Sequence, residues 1–138
     1  MNPVARIALM SAYAVLFVAA AGRSGVQLST KASEAPLAYG LSGTAALLYG
    51  VIAFALWRGG VGWRIVALLG TAIELAGVLA VGAWGYLMPE LWPDQTVWSG
   101  FGSGYGWVPL VLPVVALFTL LHAQGPRRRQ PPRPTLGA

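Results

Sequence analysis

The chain is divided by its apolar positions into four runs, each close to the length of a membrane crossing: about residues 5–22, 37–57, 62–84 and 107–123. Roughly 20 apolar residues at about 1.5 Å each span the hydrocarbon of a bilayer. Their length and composition predict membrane-crossing helices. The first opens after Arg6 and ends at Ala19-Ala20-Ala21-Gly22, a pattern shared with a signal-peptidase site, and an uncleaved helix is the preferred reading. Ala8, Ala12 and Ala19 are expected to give it a smooth packing face. A small, polar stretch, Gly22 to Pro36, predicts a short loop with Pro36 opening the second helix. In that helix Ser42, Ala46 and Gly50 recur every four residues, which suits close approach of another helix, more plausibly within the chain than in a dimer seam. The glycine-rich turn from Arg58 to Arg64 predicts a hairpin of helices two and three.

The third run carries the chain's most unusual residue. Glu74 lies near its middle, where even a lenient insertion scale charges about 2.5–3.5 kcal/mol for an acid. Gly70 and Gly77 flank it at helical spacing, so that face is expected to look into protein. Desolvation disfavours the charged form, and a neutral acid hydrogen-bonded to Tyr49 or Thr44 of the second helix is the expected arrangement. The competing reading is a carboxylate that binds a proton, a cation or a cationic substrate.

Residues 85–106 form the longest connection and the most aromatic one, with Tyr86, Trp92, Trp98, Phe101 and Tyr105 beside Glu90 and Asp94. This density suits the headgroup layer, so an extracytoplasmic cap on the membrane surface is expected. Asp94, Trp98 and Tyr105 could instead receive a cationic headgroup or a basic peptide. Alternate glycines from Gly100 to Gly106 do not match a nucleotide-binding loop. In the last run Pro109 suits a first helical turn, and Pro113 predicts a kink.

Composition sharpens the class. Charged residues make up 9% and hydrophobic ones 57%, with mean hydropathy +0.65, too few charges to clothe a water-soluble domain. The net charge of +5 does not point to nucleic acid, because Arg127, Arg128, Arg129 and Arg133 crowd the Pro-rich tail, residues 124–138. A disordered cytoplasmic tail against anionic lipid headgroups is the expected use. With a cytoplasmic N-terminus, the basic residues divide seven inside (Arg6, Arg58, Arg64 and the four of the tail) against two outside (Arg23 and Lys31). Both termini are therefore expected in the cytoplasm of a multi-pass protein of the cell membrane.

No chemistry is legible beyond this. The chain has no Cys and one His, His122, so no thiol nucleophile, metal centre or other cofactor is expected. Ser11, Ser42, Ser99 and His122 form no plausible triad, and Glu90 with Asp94 lacks the other parts of a hydrolase site.

From Asp94 to Leu117 the chain resembles small four-helix integral membrane proteins of actinobacteria. The resemblance rests on Thr96–Ser99 (TVWS), Phe101-Gly102, Gly104-Tyr105 and Val108–Pro113 (VPLVLP). It implies the four-span topology and brings no activity or catalytic residues. Small multidrug-resistance transporters share the length, the span count and a membrane Glu, but theirs is in the first helix and Glu74 is in the third. The expected fold is thus an antiparallel all-α membrane bundle of four helices over residues 1–123. Its expected role is a non-enzymatic accessory or scaffold subunit bound to a larger membrane partner. The alternative is a homo-oligomeric transporter or proton-coupled exporter centred on Glu74, and a further reading is a lipid- or quinone-associated enzyme using the outer aromatics.

Overall fold

The computed structural model describes residues 2–31, 33, 36–88, 96, 98–122 and 137. Its elements are helices α1 (Pro3–Lys31), α2 (Pro36–Arg58), α3 (Val61–Leu87) and α4 (Val108–Leu121), with a tight turn at Ser99–Tyr105 before α4. Among the described residues there is no strand. Three helices, α1, α2 and α3, are long and apolar enough to cross a membrane.

Helix α1 runs well past the expected end near residue 22. The stretch read as a loop is helical as far as Lys31, since no proline lies in it before Pro36 to block an α-helix there. Its polar residues turn back on their own helix, with the Ser29 hydroxyl donating to the Gly25 carbonyl at 2.7 Å and that of Thr30 to Val26 at 2.6 Å. The packing face also differs from expectation. Leu9, Tyr13, Leu16, Ala20 and Ser24 are buried, whereas Ala8 and Ala19 are exposed.

Neighbouring helices run antiparallel, as their cross-contacts demonstrate. Arg6 at the start of α1 donates to the carbonyls of Leu56, at 2.6 Å, and Trp57 at the end of α2. Farther along, Phe17 packs on Gly50, where a Cβ would sit 2.9 Å from its ring. The small-residue row of α2 is therefore covered by α1, with Ser42 and Ala46 buried. The α2–α3 hairpin turns at Gly59 and Gly60, both with positive φ, and is clasped by Phe54 against Trp63 at 5.1 Å. Arg64 at the start of α3 donates to the Leu120 carbonyl at the end of α4. Arg6 and Arg64 thus satisfy carbonyls that a helix end leaves without intrahelical partners, a role beyond setting orientation.

The last element departs from a simple fourth crossing. Helix α4 has 14 residues, about 21 Å, and continues through Pro113. The sharp bend lies earlier: the Ser99–Tyr105 turn meets α4 at 97°. Gly106 and Trp107, with φ of 64° and 65°, make that corner, and so the expected kink at Pro113 is displaced to the residues before Pro109. Both prolines are buried.

The outer faces differ from those of a water-soluble bundle, since they are apolar around a core that is itself mostly apolar. Ile7, Val18, Leu47, Val51, Leu69, Ile73, Val111 and Phe118 are all exposed, while Ser24, Ser42, Thr71 and Glu74 are buried.

Candidate functional site

Glu74 is the fourteenth of the 27 residues of α3 and is fully buried. The glycine-lined face read from the sequence does point inward: Gly70 opens a notch for Ile52, where a Cβ would lie 2.7 Å from its side chain. Gly77 opens a second notch one turn beyond the acid. The Trp98 ring fills it, and a Cβ there would come within 2.7 Å.

The partner of the carboxyl is not the one expected. Tyr13 of α1 donates its phenol proton to Glu74 Oε2 at 2.7 Å. Thr44 is exposed and bonds instead to the Gly40 carbonyl of its own helix at 3.0 Å. Five residues separate it from Tyr49, about 140° around a helix, so both cannot face the same acid. Tyr49 is buried beside the site: its ring lies 6.1 Å from that of Tyr13, tilted by 42°, and its hydroxyl accepts the indole N–H of Trp98 at 2.9 Å. Tyr13, Tyr49, Glu74 and Trp98 are together a polar and aromatic core drawn from α1, α2, α3 and the segment before α4.

Trp98 therefore corrects the expectation of a surface belt. It is only 4% exposed and touches α3 ten residues before that helix ends, about 15 Å below its end. Its position is built locally: the Thr96 hydroxyl oxygen accepts the Trp98 backbone N–H at 3.1 Å, and Ser99 Oγ accepts that of Thr96 at 2.8 Å. Three consecutive left-handed residues follow, Gly100, Phe101 and Gly102, and they turn the Phe101 ring onto Gly82. A positive φ of 58° at a phenylalanine is strained, and the seat on Gly82 holds it. Tyr105 lies beside the C-terminal half of α1, with the Arg23 guanidinium 5.9 Å from its ring centre. Glu90, Asp94 and the tail arginines Arg127, Arg128, Arg129 and Arg133 lie outside the described residues.

Glu74 Oε1 is buried and has no hydrogen-bond partner. Arg6, Arg58 and Arg64 belong to the ends of their helices, and Arg23 lies ten residues, about 15 Å, beyond the Tyr13 that meets the acid, so none of these arginines is level with it. The site thus consists of one acid, one phenol donor and one spare oxygen. Among the described residues no cluster of three His, Cys, Asp or Glu side chains is available to hold a metal.

Removing the donor tests this reading. Tyr13→Phe keeps the ring but leaves both carboxyl oxygens without a partner, and is expected to cost about 1–3 kcal/mol. Reversible unfolding in mixed micelles measures it. A loss no greater than that of an exposed change such as Val15→Ala would mean that the bond contributes nothing.

No protein-family model matches the chain, and no curated protein and no solved structure matches it either. The class rests on the fold alone: a helical protein with three helices long and apolar enough to cross a membrane and an acid in its interior.

Proposed function

We propose that this is a small integral protein of the cell membrane, a bundle of four antiparallel crossings that serves as a non-enzymatic accessory or scaffold subunit of a larger membrane assembly. The fourth crossing combines the 14 residues of α4 with the inserted segment around Trp98 and Phe101. Both termini are cytoplasmic in this reading. Arg6, Arg58 and Arg64 gather at the end where α1 and α3 begin, which supports it under the positive-inside rule. The tail arginines then meet anionic headgroups.

The observation that carries the accessory role is the enclosure of Glu74. In this closed arrangement its surroundings are supplied by the chain's own side chains, Tyr13 bonded to it and Trp98 in the adjacent notch, and it has no open face toward a substrate larger than a proton. One observation favours the transporter reading instead, the spare oxygen Oε1. The native mass of the tagged protein, extracted with its lipids at native expression level, separates the two. A stoichiometric larger membrane partner is expected; a homodimer with nothing else bound would overturn the accessory role. A reporter fused after Ala138 is expected to be cytoplasmic, and its appearance outside would overturn the orientation.

A further inference from the structure

The segment at Trp98 and the acid at Glu74 are separate in sequence and close in space, and Trp98 covers one side of the buried acid. Trp98 sits in the notch of Gly77, three residues beyond Glu74 on the way to the end of the molecule that carries Arg23 and Tyr105. It is tied there by one hydrogen bond to Tyr49, whose ring packs on Tyr13, which in turn donates to the acid. Behind this plug Glu74 keeps one buried oxygen without a partner.

We propose that Glu74 is a reversible proton-binding site and that Trp98 is the plug that closes it, seated when the acid is protonated and withdrawn when it is ionised. The proposal rests on the membrane-embedded part of the reading above and is independent of any partner protein.

The atoms assign the chemistry. Oε2 already accepts the Tyr13 proton, so the incoming proton forms its O–H bond at Oε1, and on release it passes to water. The facing groups from every packed element offer the ion little. From α1 comes Tyr13, from α2 Tyr49, from the segment before α4 the neutral Trp98, and α4 itself contains no titratable side chain along Val108–Leu121. Arg23 lies near Tyr105 at the end of the bundle, and Arg6 and Arg64 are engaged with carbonyls at the other. A buried charge with a single neutral donor is stabilised chiefly by admitting water. Trp98 lies on the side of the acid toward Arg23 and Tyr105, and its release breaks one neutral hydrogen bond while freeing the Tyr49 hydroxyl to meet the same water. In the seated form the left-handed Phe101 and Trp107 hold backbone strain that withdrawal of the segment would relieve, and the neighbouring positions with positive φ are glycines, Gly100, Gly102 and Gly106.

Fluorine NMR of the full chain in lipid nanodiscs, with its six tryptophans fluorinated, tests this directly. The Trp98 resonance is assigned as the one lost in Trp98→Phe. Across about pH 5 to about pH 10 it is expected to pass from one position or intensity to a second. Glu74→Gln, which mimics the neutral acid, is expected to hold it at the low-pH position throughout. Tyr13→Phe removes the donor that helps the ionised form and is expected to move the transition upward by about one pH unit or more. A Trp98 resonance unchanged over the range in the wild-type chain would overturn the proposal, as would a transition that persists in Glu74→Gln. If Glu74→Gln fails to fold, the wild-type titration and Tyr13→Phe decide: an unshifted midpoint in Tyr13→Phe would then overturn it. Failure of the membrane reading itself would show differently, as tryptophans exposed to aqueous quencher at every pH.

Discussion

Trp98→Ala is expected to be among the most damaging single substitutions in the chain, lowering stability by about 3 kcal/mol. Truncating a buried aromatic costs about 3–5 kcal/mol in water-soluble cores, where a transfer term adds to the cavity term. Here the transfer term shrinks, because a side chain released into lipid tails is still in an apolar medium, and what remains is lost packing. The change also empties the notch at Gly77 and strands the Tyr49 hydroxyl, at about 1 kcal/mol for the lost bond. Trp57, which is 58% exposed, provides the control. Trp57→Ala is expected within about 0.5 kcal/mol of wild type. Equal losses at the two positions would mean that Trp98 is an interfacial anchor and not a plug.

Gly82→Leu is expected to displace the same segment from the other side. A Cβ at residue 82 would lie 2.4 Å from the Phe101 ring and 2.7 Å from the ring atom nearest its backbone. Phe101 has little freedom to yield, since its left-handed backbone is held between Gly100 and Gly102. Overpacking of this kind costs about 1–3 kcal/mol, and here the cheaper response is expulsion of the turn. The expected signature is faster proteolysis between Leu87 and Val108 with α1 to α3 retained. Gly62 is the matched control, because a Cβ there meets nothing. Resistance of Gly82→Leu equal to that of Gly62→Leu would contradict the seating of Phe101.

Much of the helical layout was legible because it depends on local pattern. Pro36 opens α2, Gly59 and Gly60 turn the hairpin, and the spacing of Gly70, Glu74 and Gly77 puts one polar, small-residue face inward. The site was legible only in part, and each omission has a physical reason. Tyr13 bonds to a residue 61 positions away, and nothing local distinguishes it from its apolar run. The stripe Leu9, Tyr13, Leu16, Ala20, Ser24 carried a signal, since it places a phenol and a hydroxyl on one helical face. Trp98 was read as part of an interfacial belt because aromatics in a connection usually are one. The stronger clue was on α3, where Gly77 and Gly82 leave two notches that the helices alone do not fill. The length of α1 was missed for the opposite reason: small polar residues suggested a loop, but Ser29 and Thr30 bond within the helix and leave it unbroken.

The membrane reading depends on the outer faces of the helices, which are apolar and enclose the buried acid. Because the chain has no Cys, single cysteines can carry spin labels without interference. Labels at Leu69 and Ile73, both exposed on α3, and at Val78, fully buried on the same helix, should be compared in liposomes. Strong relaxation by oxygen and almost none by an aqueous nickel chelate are expected at residues 69 and 73, with weak relaxation by either agent at residue 78. Relaxation of residues 69 and 73 by the aqueous chelate would contradict the membrane reading, because those faces would then meet water and not lipid.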